Sequence, residues 1–139
     1  MDERIAKFLK KMHLASVCAI DDDGQPYAFS AFYAFDELNF CLLLASSDES
    51  SHVKFLKNSK LVAGTVALDT KIVGKIEGVQ FQGVMREAST SEREIYFKRF
   101  FYAKAMDPKI WSISLEKVKF TSNTLGFGKK IKWERGDKI

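Results

Sequence analysis

The feature that most restricts this chain is a succession of short apolar runs with a two-residue period, each cut off by Asp, Gly, Asn or Ser. The clearest is residues 26–36, where Tyr27, Phe29, Ala31, Tyr33 and Phe35 alternate with Ala28, Ser30, Phe32 and Ala34. Alternation of this kind sends successive side chains to opposite faces of a strand. Residues 14–20 form another run, closed by Asp21-Asp22-Asp23-Gly24, whose residue types supply hairpin turns. Further strands are expected at residues 38–45, 61–68, 72–86 and 111–121, with a last short one at 131–134. The 38–45 run is nearly continuous in apolar side chains, the mark of a strand covered on both faces. Gly74, Gly78 and Gly83 interrupt residues 72–86, where bends or bulges would let a sheet curl on itself. In residues 111–121, Trp111, Ile113, Leu115 and Lys117 share one face and Ser112, Ser114, Glu116 and Val118 the other.

Three segments break this period. Ile5, Phe8, Leu9 and Met12 recur at helical spacing with Arg4, Lys7, Lys10 and Lys11 between them, so the first dozen residues predict an amphipathic helix lying as a lid on the strands. Residues 52–57 predict a short helix ended by Asn58. Ser91-Glu92-Arg93-Glu94 has the form of a capping box ahead of Ile95, Phe97, Phe100 and Phe101, and Pro108 ends that helix. About six strands with helices after the third and fifth predict a mainly β fold with peripheral helices, a Greek-key barrel, closed or split. At 139 residues, 46% of them apolar, the chain is sized for one domain over residues 1–139.

Several function classes drop out. No apolar run approaches the ~18 residues of a membrane span, and Met1-Asp2-Glu3-Arg4 opens an amphipathic stretch rather than a signal peptide, so a soluble, cytoplasmic protein is expected. Cys18 and Cys41 lie in apolar runs without a CxxC spacing, which reads as buried thiols in a reducing compartment. His13 and His52 are isolated and give no metal pattern. GxSxG, HExxH, P-loop and GxGxxG motifs are absent, and no catalytic side chain is nominated. The net charge of +4 owes much to Lys129, Lys130, Lys132, Arg135 and Lys138. Aromatic and basic residues interleave only locally, at Phe127 to Trp133, which argues against a nucleic-acid partner.

One polar stretch carries chemistry. Ser46 and Ser47 at an expected strand end, and Ser50, Ser51 and His52 at an expected helix start, bring together hydroxyls, unpaired backbone N–H groups and an imidazole, the ingredients of an anion site. The plainer reading is one capping serine in a solvated loop, and on local pattern alone it is the stronger. The small face of residues 26–36, with Ala28, Ser30 and Ala34, leaves room for a flat ring or for a crossing element.

The whole chain resembles the pyridoxamine 5′-phosphate oxidase-like split barrels, most closely their uncharacterised bacterial YhbP-like branch. The match is carried by Ala31-Phe32-Tyr33 with Phe35-Asp36, by Val62-Ala63-Gly64-Thr65-Val66, and by Gly78-Val79-Gln80-Phe81 with Gly83. Its most specific part is Phe120-Thr121 followed by Asn123 to Lys130 and Trp133. The resemblance implies a six-stranded Greek-key split β-barrel of the FMN-binding type, a homodimer, and FMN in clefts between subunits. It assigns the phosphate to Ser46, Ser47, Ser50, Ser51 and His52, and the isoalloxazine ring to Ser30, Ala31 and Phe32. Lys129, Lys130 and Trp133 are implied contributors from the partner subunit.

One departure stands out. The true oxidases carry a Ser-Arg-Lys arrangement where this chain has Ser50-Ser51-His52, with only Lys54 nearby. Losing a charge-assisted contact costs about 1.5–3 kcal/mol, which lysines of a partner would have to restore. The oxidases' C-terminal substrate segment is also missing, so vitamin B6 oxidation is not expected. The function expected is FMN binding, as a small flavin-dependent oxidoreductase of unknown substrate. The alternative is a non-catalytic module for another phosphate- or ring-bearing ligand or a protein partner.

Overall fold

In a computed structural model, residues 1–136 are described. The elements run α1 (Glu3–Lys11), β1 (Leu14–Ile20), β2 (Pro26–Asp36), β3 (Cys41–Ala45), α2 (Ser51–Lys54), β4 (Leu61–Ala67), β5 (Glu77–Glu87), α3 (Thr90–Arg99), β6 (Ile110–Ser122) and β7 (Lys129–Glu134). Single 3-10 stretches occupy Phe55–Lys57, Val73–Lys75, Phe101–Met106 and Asn123–Leu125.

The strands pair antiparallel in the order β3-β2-β1-β4-β5-β6-β7, and a β3–β6 pairing closes the first six into a barrel. Three consecutive strands followed by a fourth that returns beside the first is the Greek-key order. Alternation decides what points inward: Ala15, Val17 and Ala19 of β1, Val62 and Val66 of β4, and Val79, Phe81 and Met85 of β5 are buried in one core. Ile5, Phe8 and Leu9 of α1 plug that core, with Phe8 against Phe120 at 5.2 Å. The Tyr33 hydroxyl, fully buried, donates to the Leu9 carbonyl at 2.7 Å and ties the plug to β2. A second cluster of Ala34, Cys41, Leu43, Tyr96, Phe97 and Ile110 lies between the outside of β2–β3 and α3.

The barrel owes its shape to a handover on one edge of β6. From Ile110 to Ser114 that edge pairs with β3, and from Lys117 to Ser122 it pairs with β7. Between them the register with β5 slips: Gln82 faces Lys117, but the next residue, Gly83, faces Leu115, leaving Glu116 as an extra residue. The inward side of β6 therefore changes from Ile113 and Leu115 to Val118 and Phe120. Arg135 bolts this seam, donating to the carbonyls of Leu115 at 2.8 Å, Asn39 at 2.9 Å and Phe40 at 3.0 Å.

Several expected boundaries move. The third strand begins at Cys41 rather than residue 38, because the Asp36 carboxylate accepts the N–H groups of Leu38 and Asn39 and folds residues 37–40 into a turn with Phe40 at φ 55°. Residues 72–76 are not strand: Val73–Lys75 make a 3-10 turn whose Val73 carbonyl accepts the Asn123 side-chain amide at 2.8 Å. The capping box is two residues earlier than expected. Ser89 caps α3 and Glu92 returns the bond to its N–H, so Ser91 and Glu94 are not the pair. The uninterrupted alternation expected over residues 111–121 fails at Glu116, and Cys18 is half-buried rather than buried.

Candidate functional site

The opening in the barrel lies between β2 and β3. Their pairing stops at Tyr33 and Leu44; one more step would set Phe32 opposite Ala45, and the next Ala31 opposite Ser46. The chain leaves β2 there because the Ser46 N–H bonds the Lys109 carbonyl at 3.1 Å and the Trp111 indole N–H bonds the Ser46 carbonyl at 3.0 Å, so it follows β6 instead. Residues 26–32 of β2 keep β1 as their neighbour on one side. Among the described residues, no strand pairs with their other edge. A strand edge carries N–H and C=O groups that seek partners.

The polar turn closes over this edge. The His52 ring stacks on Phe29 at 3.7 Å with an interplanar angle of 8°, and its Nε2 lies 2.8 Å from the Ser46 hydroxyl. Burial lowers the His52 pKa, which keeps the imidazole neutral at pH 7. Phe55 meets Tyr27 edge-on at 5.2 Å. Ser47 is spent on the turn, its hydroxyl accepting the Glu49 N–H at 3.1 Å. Ser50 stands at the N-cap of α2 but makes no side-chain cap bond. Among the described residues, neither the Ser50 nor the Ser51 hydroxyl has a hydrogen-bond partner.

The structure thus brings Ser46, Ser47, Ser50, Ser51 and His52 together beside β2, and adds Phe29 and Trp111, which the sequence did not single out. Phe29 was legible only as one member of an alternating face. Its stacking on His52 depends on where β3 lets go of β2. Ser30 and Phe32 point outward, Phe32 being 56% exposed and stacked on His13 at 5.8 Å, whereas Ala31 packs against the core. The expected helix at residues 52–57 is one α-turn continued as a 3-10 turn, too short to build a macrodipole of consequence.

Charge beside the turn is mixed. A cavity of about 550 Å³ is lined by Ser46, Ser47, Asp48, Glu49, Asp107 and Lys109, among others. Lys109, its one cation, is held by Asp48 at 2.9 Å and Glu87 at 3.8 Å and sits 4.9 Å over the Trp111 ring. Among the described residues that line this cavity, then, none is an uncommitted cation; Lys54 ends α2 outside it. Lys129, Lys130 and Trp133 lie elsewhere: Lys130 pairs with Thr121, whereas Ser46 bonds Lys109 before the other end of β6. Twelve residues of a curved, bulged strand separate those points, a path of at most roughly 40 Å. Trp133 is buried, packing on Phe40 at 5.0 Å and on the core of its own chain.

A six-stranded Greek-key barrel opened along β2, with an outer strand carried on the seam, defines the class as a split-barrel fold. Solved structures of the same fold superpose on the chain at low identity. They include a heme-binding protein from Mycobacterium smegmatis (TM-score 0.72, 15% identity, 88% of this chain and 53% of that one). An FAD-binding protein from Mesorhizobium loti gives a TM-score of 0.70 at 15% identity, over 86% of this chain and 94% of that one. The chain belongs to the UPF0306 YhbP family, being 39% identical over 135 residues to the UPF0306 protein YhbP of Salmonella schwarzengrund, across 94% of this chain and 91% of that protein. No family model matches.

Proposed function

We propose that this protein is a homodimeric split-barrel flavoprotein that holds FMN along the open edge of β2. The observation that carries the reading is the unpaired backbone of residues 26–32 lying beside the Ser46–His52 turn. The rim of an isoalloxazine ring alternates hydrogen-bond donors and acceptors, as a strand edge does, and the turn supplies hydroxyls and first-turn N–H groups for a phosphate. The donor set fits the ring without help. It fits the phosphate only with added positive charge, since Lys109 is committed and Asp48 and Glu49 flank the turn. Lys129 and Lys130 pair with the far end of β6 from their own turn; in the proposed dimer they serve the partner's turn. The exposed apolar side chains Leu14, Tyr27 and Phe32 near the opening supply a surface for that second copy.

A bound flavin would supply the electron-transfer chemistry, while the chain positions the ring and excludes water. That division suits a site with no acid–base pair and makes a small oxidoreductase the activity to look for. The test is direct. The purified protein is titrated with FMN by absorbance and fluorescence quenching, and its mass is followed by light scattering. Saturable binding at micromolar concentration by a dimer supports the reading; absence of binding, or binding by a monomer, overturns it.

A second reading has an observation of its own. The acidic flank at Asp48 and Glu49 disfavours a dianionic phosphate, so a ring-bearing ligand without one, heme included, would suit the β2 edge and the neutral His52 equally well. In that case the protein is a binding module rather than an oxidoreductase. Titration with heme beside FMN separates the two.

A further inference from the structure

We infer that the outer face of β4-β5-β6-β7 is a second ligand site, one that takes a small phosphorylated molecule. The pairing registers place Thr65, Gln80, Lys119 and Lys132 in one row across four strands. All four are exposed or half-exposed, on the face opposite the core. Lys119 and Lys132 are directly opposite each other, and like charges in that position destabilise a sheet. Among the described residues, neither they nor Lys117 in the next row has an ion-pair partner. A repulsive pair kept beside a hydroxyl and two carboxamides, Gln80 and Gln82, is what an oxyanion requires: cations to neutralise it and neutral donors to orient it.

The face is also concave, although the outside of a barrel is ordinarily convex. β7 continues the sheet from the seam at Glu116, and a cavity of about 500 Å³ results, with Cys18 and Ala63 at its far side. The row spans three strand spacings, about 14 Å, the length of a sugar phosphate or a nucleoside monophosphate rather than a polymer. Glu134, which ends the Gln82–Lys117 row, bounds the cationic patch and argues against a nucleic-acid strand running across it. This site shares no residue with the Ser46–His52 turn and does not depend on flavin being bound there.

The experiment uses the full chain, with thermal unfolding followed in sodium phosphate, in pyrophosphate, and in sodium chloride at matched ionic strength. Both phosphates are expected to raise Tm saturably and chloride to leave it unmoved. Lys119→Gln and Lys132→Gln are each expected to weaken the apparent affinity roughly ten- to a hundredfold. Each is also expected to raise Tm in chloride, because the like-charge contact is gone. Lys104→Gln, an exposed lysine outside both sites, should leave the phosphate response intact. The inference is overturned by an equal response to chloride, by no saturable response, or by a response that survives in both lysine variants. It is equally overturned if either variant changes the mass seen by light scattering, since the lysines would then face acids of a second copy. FMN titration of the same variants keeps failure of this site distinct from failure of the flavin reading.

Discussion

Glu92 shows how much one side chain can hold together. It is 5% exposed, yet Arg86 donates to it at 2.8 and 3.2 Å, Ser112 at 2.6 Å and the Ser89 N–H at 2.9 Å. Burial pushes its pKa up, but the Arg86, Ser112 and Ser89 hydrogen bonds outweigh that and bring it from 4.5 to about 2. A folded pKa below the unfolded one means that the unfolded chain binds the proton first. The contribution is complete above about pH 4.5 and is lost as pH falls toward 2. Glu92→Gln is expected to cost roughly 2–3 kcal/mol at pH 7 and to flatten the acid limb of a urea-denaturation series between those pH values. His52 works in the same direction at higher pH. Its folded pKa is lowered from 6.5 by burial, so stability falls as pH drops below that value, and NMR titration of the ring is expected to show a midpoint under 6.5. Neither effect was legible in the sequence beyond a serine three residues before a glutamate. Which serine caps was decided by the end of β5.

Among the elements, β6 is where packing overrides pattern. Its extra residue at Glu116 falls beside the step from Gln82 to Gly83, and a Cβ on Gly83 would stand 2.5 Å from the Ser114 carbonyl oxygen and 2.9 Å from Ile113 Cγ2. Gly83→Ala is therefore expected to destabilise the fold by about 2–4 kcal/mol in denaturant titration, because backbone must move to admit one methyl. Arg135 belongs to the same seam. Removing its three carbonyl contacts in Arg135→Ala is expected to raise hydrogen exchange along Lys129–Glu134 while the amides of β1 and β4 stay protected. Gly83 was visible beforehand as a candidate bend. The bulge itself lies on the partner strand, and no local signal in residues 111–121 announces it, since Glu116 fits the polar side of an unbroken alternation.

At the scale of the whole molecule, the open edge of β2 and the outward apolar residues beside it set the expectation for assembly. Phe32 is 56% exposed and leaves the core untouched. For the dimeric flavoprotein proposed above, Phe32→Glu is therefore expected to keep the thermal stability of the subunit, halve the mass seen by light scattering and abolish FMN binding. Periodicity in the sequence determined the strands, the plug helix and the barrel class, because inside and outside along a strand depend on local alternation and on burying apolar surface. It also gathered Ser46 to His52 by simple adjacency in the chain. Tertiary structure alone decided that β3 leaves β2 to follow β6, that Phe29 lies under His52, and that Lys119 faces Lys132. The first two depend on which strands become neighbours across long stretches of chain, which the packing of the whole barrel decides, and the third on the register that the β6–β7 hairpin takes beyond the Glu116 bulge.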